Sequence, residues 1–105
     1  MVMNLNLETM SRDERSLLVY FESVSVDAYA KIDQRRMNDI DREIAEDWNK
    51  KGFIKYGRVK ASEIARSTSK CTHFVILSDA AWALAHQERR NRANRTIILE
   101  NFNLR

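Results

Sequence analysis

Cys71, His73 and His86 are the side chains of this chain best suited to soft-metal binding or to nucleophilic chemistry. On a strand, Cys71 and His73 stand two residues apart and share one face, and His86 could reach them from a following helix. A structural zinc site takes four ligands and even a catalytic one takes three with a shaped open position, so this trio makes a poor zinc signature. The same residues fail as nucleophile and base, because nothing orients either imidazole and no Gly-rich loop supplies an oxyanion site. A packed thiol and half-buried imidazoles are the expectation, with no catalytic residue, no metal and no cofactor.

The remaining chemistry is that of charge, and it is unevenly spread. Residues 1 to 47 carry 6 Lys/Arg against 11 Asp/Glu, residues 48 to 70 carry 7 against 1, residues 71 to 88 carry 0 against 2, and residues 89 to 105 carry 5 against 1. The modest net charge of +3 therefore hides one acidic half and two basic segments. Lys50, Lys51, Lys55, Arg58, Lys60, Arg66 and Lys70 form the larger basic group, with Ser67, Thr68 and Ser69 as short hydrogen-bonding side chains among them. Arg89, Arg90, Arg92 and Arg95 form the other. Such clusters suit a polyanion, and phosphate contacts are their natural chemistry. Solvated strand lysines that discourage aggregation, and cations that complement a helix C-terminus, are the plainer uses of the same residues. Asp39, Asp41, Glu43, Glu46 and Asp47 make a face of opposite sign, suited to a different contact.

These groups need elements to hold them. Ser11 and Glu14 have the S-x-x-E spacing of a capping box, and Leu17, Leu18, Phe21, Val24 and Ala28 follow at helical spacing, which predicts a helix over about 12 to 26. The stretch from Asp27 to Arg36 reads as a short helix or a packed loop with Ala28, Tyr29 and Ile32 inward. Asn38 is a good N-cap, Ile40, Ile44, Ala45 and Trp48 make an apolar stripe, and Gly52 stands at the position that ends a helix. Phe53, Ile54, Tyr56 and Val59 then predict a strand, residues 65 to 70 a small, polar and basic tip, and residues 72 to 77 a second strand. Ser78 caps a last helix in which Ala81, Trp82, Leu84, Ala85 and Glu88 repeat, ending in the four arginines. At the two ends, Asn4-Leu5-Asn6-Leu7 and Asn101-Phe102-Asn103-Leu104 alternate polar and apolar, as short half-buried strands do. Trp48, Trp82, Phe21, Phe53 and Phe74 stand at core-facing positions.

With 105 residues, 44% of them hydrophobic and 31% charged, the chain has the composition of one ordinary globular domain. It has no Pro and two Gly, so no stretch reads as a flexible linker. No apolar run approaches the roughly 20 residues of a membrane span, and the first ten residues lack the pattern of a signal peptide. A lone cysteine cannot close an intrachain disulfide, and a cytoplasmic setting is expected.

The order helix, short segment, helix, two-stranded hairpin with a basic tip, helix resembles a winged helix-turn-helix domain. The stretch Phe74-Val75-Ile76-Leu77-Ser78-Asp79-Ala80-Ala81-Trp82 is similar to the second wing strand and the start of the C-terminal helix in MarR-like regulators. The chain also resembles small proteins encoded by phages and prophages, through Met37-Asn38, Trp48-Asn49, Gly52-Phe53-Ile54, Gly57-Arg58-Val59, Thr72-His73 and Trp82-Ala83-Leu84-Ala85-His86. The expected fold is α+β, mostly helical: a winged helix over residues 11 to 95, with extensions over 1 to 10 and 96 to 105. The expected function is double-stranded DNA binding by a phage-type regulator or accessory factor, through the basic wing and the arginines of the last helix. Asp39 to Asp47 depart from this pattern, because a recognition helix bringing five carboxylates to a phosphate-lined groove is repelled. The alternative is therefore a module that docks on a host protein through that acidic face. Leu5, Leu7, Ile97, Ile98, Phe102 and Leu104 need cover, which makes a homodimer through the terminal segments a further expectation.

Overall fold

A computed structural model describes residues 5–27, 30–60, 62 and 71–103, with side chains as far as Arg95. Its elements are α1 (Arg12–Asp27), β1 (Lys31–Ile32), a 3-10 turn (Gln34–Arg36), α2 (Asp39–Lys50), β2 (Ile54–Arg58), β3 (His73–Leu77) and α3 (Asp79–Asn103). Among the described residues the fold is a small α+β arrangement of three α-helices and one antiparallel sheet ordered β1-β3-β2.

The helix starts follow the sequence signals. Ser11 N–H donates to Glu14 Oε1 at 3.0 Å while Glu14 N–H donates to Ser11 Oγ at 3.1 Å. Asn38 and Asp41 make the same reciprocal pair at α2, at 2.8 and 3.2 Å. Gly52, with φ of +77°, ends α2 in the left-handed region that glycine enters without steric cost. Ala30 also has a positive φ, 64°. It donates its N–H to Val24 O at 3.0 Å and accepts from Val75 N–H at 2.9 Å, so one strained residue both closes α1 and ties it to β3.

The segment after α1 combines a short 3-10 helix over Gln34–Arg36 and the expected inward Ile32, which is fully buried, with a strand that neither reading of Asp27 to Arg36 contained. Lys31 and Ile32 pair with Phe74 and His73 as an added edge strand. Asp33 then caps the 3-10 turn, accepting from Arg35 N–H at 3.0 Å and from its guanidinium at 2.7 Å. Ala28 and Tyr29 lie outside the described residues. Within the hairpin, Ile54 faces Leu77 and Arg58 faces His73, with flanking bonds from Ser78 N–H to Phe53 O and from Val59 N–H to Thr72 O.

The core lies between the sheet and the helices. Leu17, Leu18 and Phe21 of α1 meet Ala45 and Trp48 of α2, Phe53, Ile54, Val75 and Leu77 of the hairpin, and Ala81 and Ala85 of α3. Trp48 and Phe53 pack edge to face with centroids 5.2 Å apart, a favoured aromatic geometry. Trp82 is half-buried and packs against the rim of this core, Phe74 is half-buried on the other face of the sheet, and Ile40, at the first turn of α2, is 52% exposed.

Both terminal strand expectations are corrected. Residues 101–103 continue α3, which has no Gly or Pro in Ala93–Glu100 to stop it. Leu5 and Leu7 are not in a strand: Asn6 instead caps a turn, accepting from Thr9 N–H at 3.0 Å, and both leucines pack on the core of their own chain. Asn4 and Leu104 lie outside the described residues.

Candidate nucleic-acid interface

Alternation along β2 separates two faces. Ile54, Tyr56 and Arg58 share the inner side with Leu77, Val75 and His73, whereas Lys55 and Gly57 share the outer side with Ile76 and Phe74. Register adds Lys31 beside Phe74. The outer face of the sheet therefore presents Lys31, Lys55, half-buried Phe74 and Ile76, the last 53% exposed. Gly57 lets the Phe74 ring lie close over the strand, since a Cβ there would stand 3.1 Å from that ring and press it aside by a few tenths of an ångström.

The cations of the larger basic group gather around this strand. Lys50 and Lys51 are exposed at the end of α2, Lys55 and Arg58 on β2, and Lys60 just past it. Lys51 pairs with Asp47 at 2.8 Å. Lys50, Lys55, Arg58 and Lys60 make no ion pair among the described residues. Arg66, Ser67, Thr68, Ser69 and Lys70 lie outside the described residues.

Beneath the strand sits a polar and aromatic stack. The Tyr56 ring lies between Phe21, at 6.4 Å, and His73, at 5.5 Å and 22° between planes. Gln34 Nε2 donates to the Tyr56 hydroxyl. Burial pushes the Tyr56 hydroxyl above its ordinary pKa, with Glu46 acting in the same direction. Burial also lowers the His73 imidazole, assisted by the charges of Arg58 and Arg42, which favours its neutral form. Thr72 Oγ1 stands 2.9 Å from its Nδ1. His86 is elsewhere: it stacks obliquely on Trp82 at 5.7 Å and approaches Glu22 at 3.6 Å. No group of three His, Cys, Asp or Glu able to hold a metal occurs among the described residues.

The arginines of the last helix are placed differently from the expectation. Arg89 to Arg95 are not a basic helix end, because α3 runs on to Asn103 and its last turn holds no basic residue. They serve carboxylates buried between α1 and α3. Glu22, whose side chain is 6% exposed, accepts from Arg89 Nε, and Arg89 Nη2 continues to Ser23 Oγ at 2.6 Å. Glu88, whose side chain is 3% exposed, receives Arg92 Nε at 2.9 Å, Arg95 Nη2 at 3.5 Å and Arg15 Nε at 3.9 Å, all on Oε2. Arg90 turns instead to Gln87, at 2.8 Å. The signal for Glu88 was its place in the apolar repeat with Arg92 four residues on; Glu22 gave no comparable local sign.

The acidic group is spread over α2. Asp41 is spent on the N-cap, Asp39 on Arg42 at 3.0 Å and Asp47 on Lys51, while Glu43 and Glu46 are exposed. Ile40 stands exposed among them. No helix among the described residues is long and apolar enough to cross a membrane. No protein-family model, no curated protein and no solved structure matches the chain.

Proposed function

We propose that the chain is a winged-helix domain that binds double-stranded nucleic acid through its wing, with α2 standing off the groove. The order α1, β1, turn, α2, β2, β3 and the sheet order β1-β3-β2 support this reading, in which the short 3-10 turn stands where a second helix is expected. One observation carries the functional reading: Lys50, Lys55, Arg58 and Lys60 are exposed and make no ion pair among the described residues, whereas Arg89, Arg92 and Arg95 are already engaged with carboxylates. Unpaired cations on β2 and at its two flanks are available to phosphates, and Arg66 and Lys70 follow in the sequence. The setting is that of a phage-type regulator or accessory factor.

The test is the salt dependence of binding to a generic duplex. Replacing Lys55 and Arg58 by Ala removes two phosphate contacts, so affinity falls for every sequence and the slope of log K against log salt flattens by roughly two units. An unchanged slope overturns the reading.

A second reading rests on exposed Ile40 among Asp39, Glu43, Glu46 and Asp47, a surface suited to a basic host protein. Charge reversal at Asp39 and Glu43 that abolishes capture of one partner, with duplex binding absent in the parent protein, favours it.

A further inference from the structure

At the opposite end of the helix pair, α1 and α3 enclose an open cavity of about 310 Å³ lined by Arg12, Arg15, Ser16, Glu88, Arg92 and Arg95. That size lies at the lower end of small-ligand clefts. Its lining holds four guanidinium groups and one carboxylate. Glu88 cannot neutralise them: Arg92, Arg95 and Arg15 crowd on its single oxygen Oε2 at 2.9, 3.5 and 3.9 Å. Ser16 adds a hydroxyl, 3.4 Å from Arg92 Nη2, and Arg15 is pinned by Nη1 donating to Met10 O at 3.2 Å. Arg12, in the first turn of α1, makes no ion pair among the described residues.

The lining therefore carries a surplus of three positive charges around a polar hollow. Like charges held this close repel unless an anion enters, and guanidinium groups present paired N–H donors matched to phosphate oxygens. We infer that this cavity binds a phosphate group. In that arrangement Glu88 acts as a spacer, holding Arg92 and Arg15 by Nε at the wall of the hollow, with Arg12 and the outer part of Arg95 completing its positive lining. The group is either a small free phosphate or a phosphate of a nucleic-acid backbone. The site shares no residue with the wing, so it stands whether or not the wing binds nucleic acid.

The experiment compares the full chain with the Arg12→Ala/Arg95→Ala variant. Arg12 is exposed and the Arg95 side chain is 61% exposed, so circular dichroism is expected to show an intact fold. Arg12→Lys/Arg95→Lys preserves charge and controls for lost packing. Pyrophosphate is titrated calorimetrically at fixed ionic strength, and a blunt duplex without terminal phosphates is titrated in parallel. For a small free ligand, pyrophosphate binds the parent protein and binding weakens at least tenfold in the Ala variant, with the Lys variant intermediate and duplex affinity unchanged. For a backbone phosphate, duplex affinity falls in the Ala variant and pyrophosphate binds weakly throughout. If neither pyrophosphate nor duplex distinguishes the Ala variant from the parent, the inference is wrong.

Discussion

Asn49 Oδ1 accepts the backbone N–H of Tyr56 at 3.0 Å, so a side chain from the last turn of α2 occupies the outer edge of β2. An edge strand offers such groups to any passing chain, and Asn49 removes one of them while fixing the hairpin against the helix. With the Phe53 N–H bond to Trp48 O at 3.0 Å, it sets the cations of β2 relative to α2. Asn49→Ala leaves the N–H to water, and a loss of about 1 kcal/mol is expected in urea unfolding.

The two partners of the Glu22 pair are expected to respond unequally. Arg89→Ala leaves the buried Glu22 carboxylate with only His86, among the described residues, beside it at 3.6 Å, and costs about 3 kcal/mol, because its main counter-charge is gone. Glu22→Gln leaves Arg89, which is 44% exposed, free to reach solvent, and costs about 1 kcal/mol. Denaturant midpoints of the two variants, compared at one pH, check the asymmetry.

His73 makes stability depend on pH. Its folded pKa lies below the unfolded value of about 6.5, so the unfolded chain takes up a proton first and stability falls as pH drops from about 7 toward 5. His73→Phe keeps the stack on Tyr56 and flattens that window. Asp33, held down at about 2 by the Arg35 hydrogen bonds, acts in a different range, with its contribution lost as pH falls below about 4. Melting temperatures at half-unit intervals separate the two.

Ala30 bears a left-handed backbone without the freedom of glycine. Ala30→Gly relieves about 1–2 kcal/mol of that strain against a smaller entropic cost of making the unfolded chain more flexible, for a net gain of about 0.5–1 kcal/mol. A lower melting temperature in the variant would contradict this.

The parts of the fold legible in the sequence are those fixed by neighbours. Ser11 with Glu14, Asn38 with Asp41, and Gly52 mark helix ends within four residues of one another, and alternation in Phe53 to Arg58 exposes Lys55. What escaped is set by distant partners. Two residues, Lys31 and Ile32, are too few for a pattern and become a strand only because β3 is there to receive them. Arg89 looks like an available cation until α1 brings Glu22 beneath it. The exposure of Lys50, Lys55, Arg58 and Lys60 was legible for the converse reason, since no distant described carboxylate covers them. The terminal alternation misled because four residues satisfy a strand period equally well at the end of a helix, where tertiary position decides.

The central place of β3 has a kinetic consequence. Pairing β2 with β3 brings Arg58 to His73, whereas pairing β1 with β3 must bring Ile32 to the same His73 across all of α2 and β2. The longer closure costs about 1 kcal/mol more in chain entropy, and it returns only a two-residue ladder. The hairpin is therefore expected to form ahead of the full sheet, with β1 joining once Ala30 has bonded to Val24 and Val75. The same edge is the first to open in the native protein: amide exchange at Lys31 and Ile32 runs faster than along β2, and a destabilised variant loses this edge while the hairpin persists.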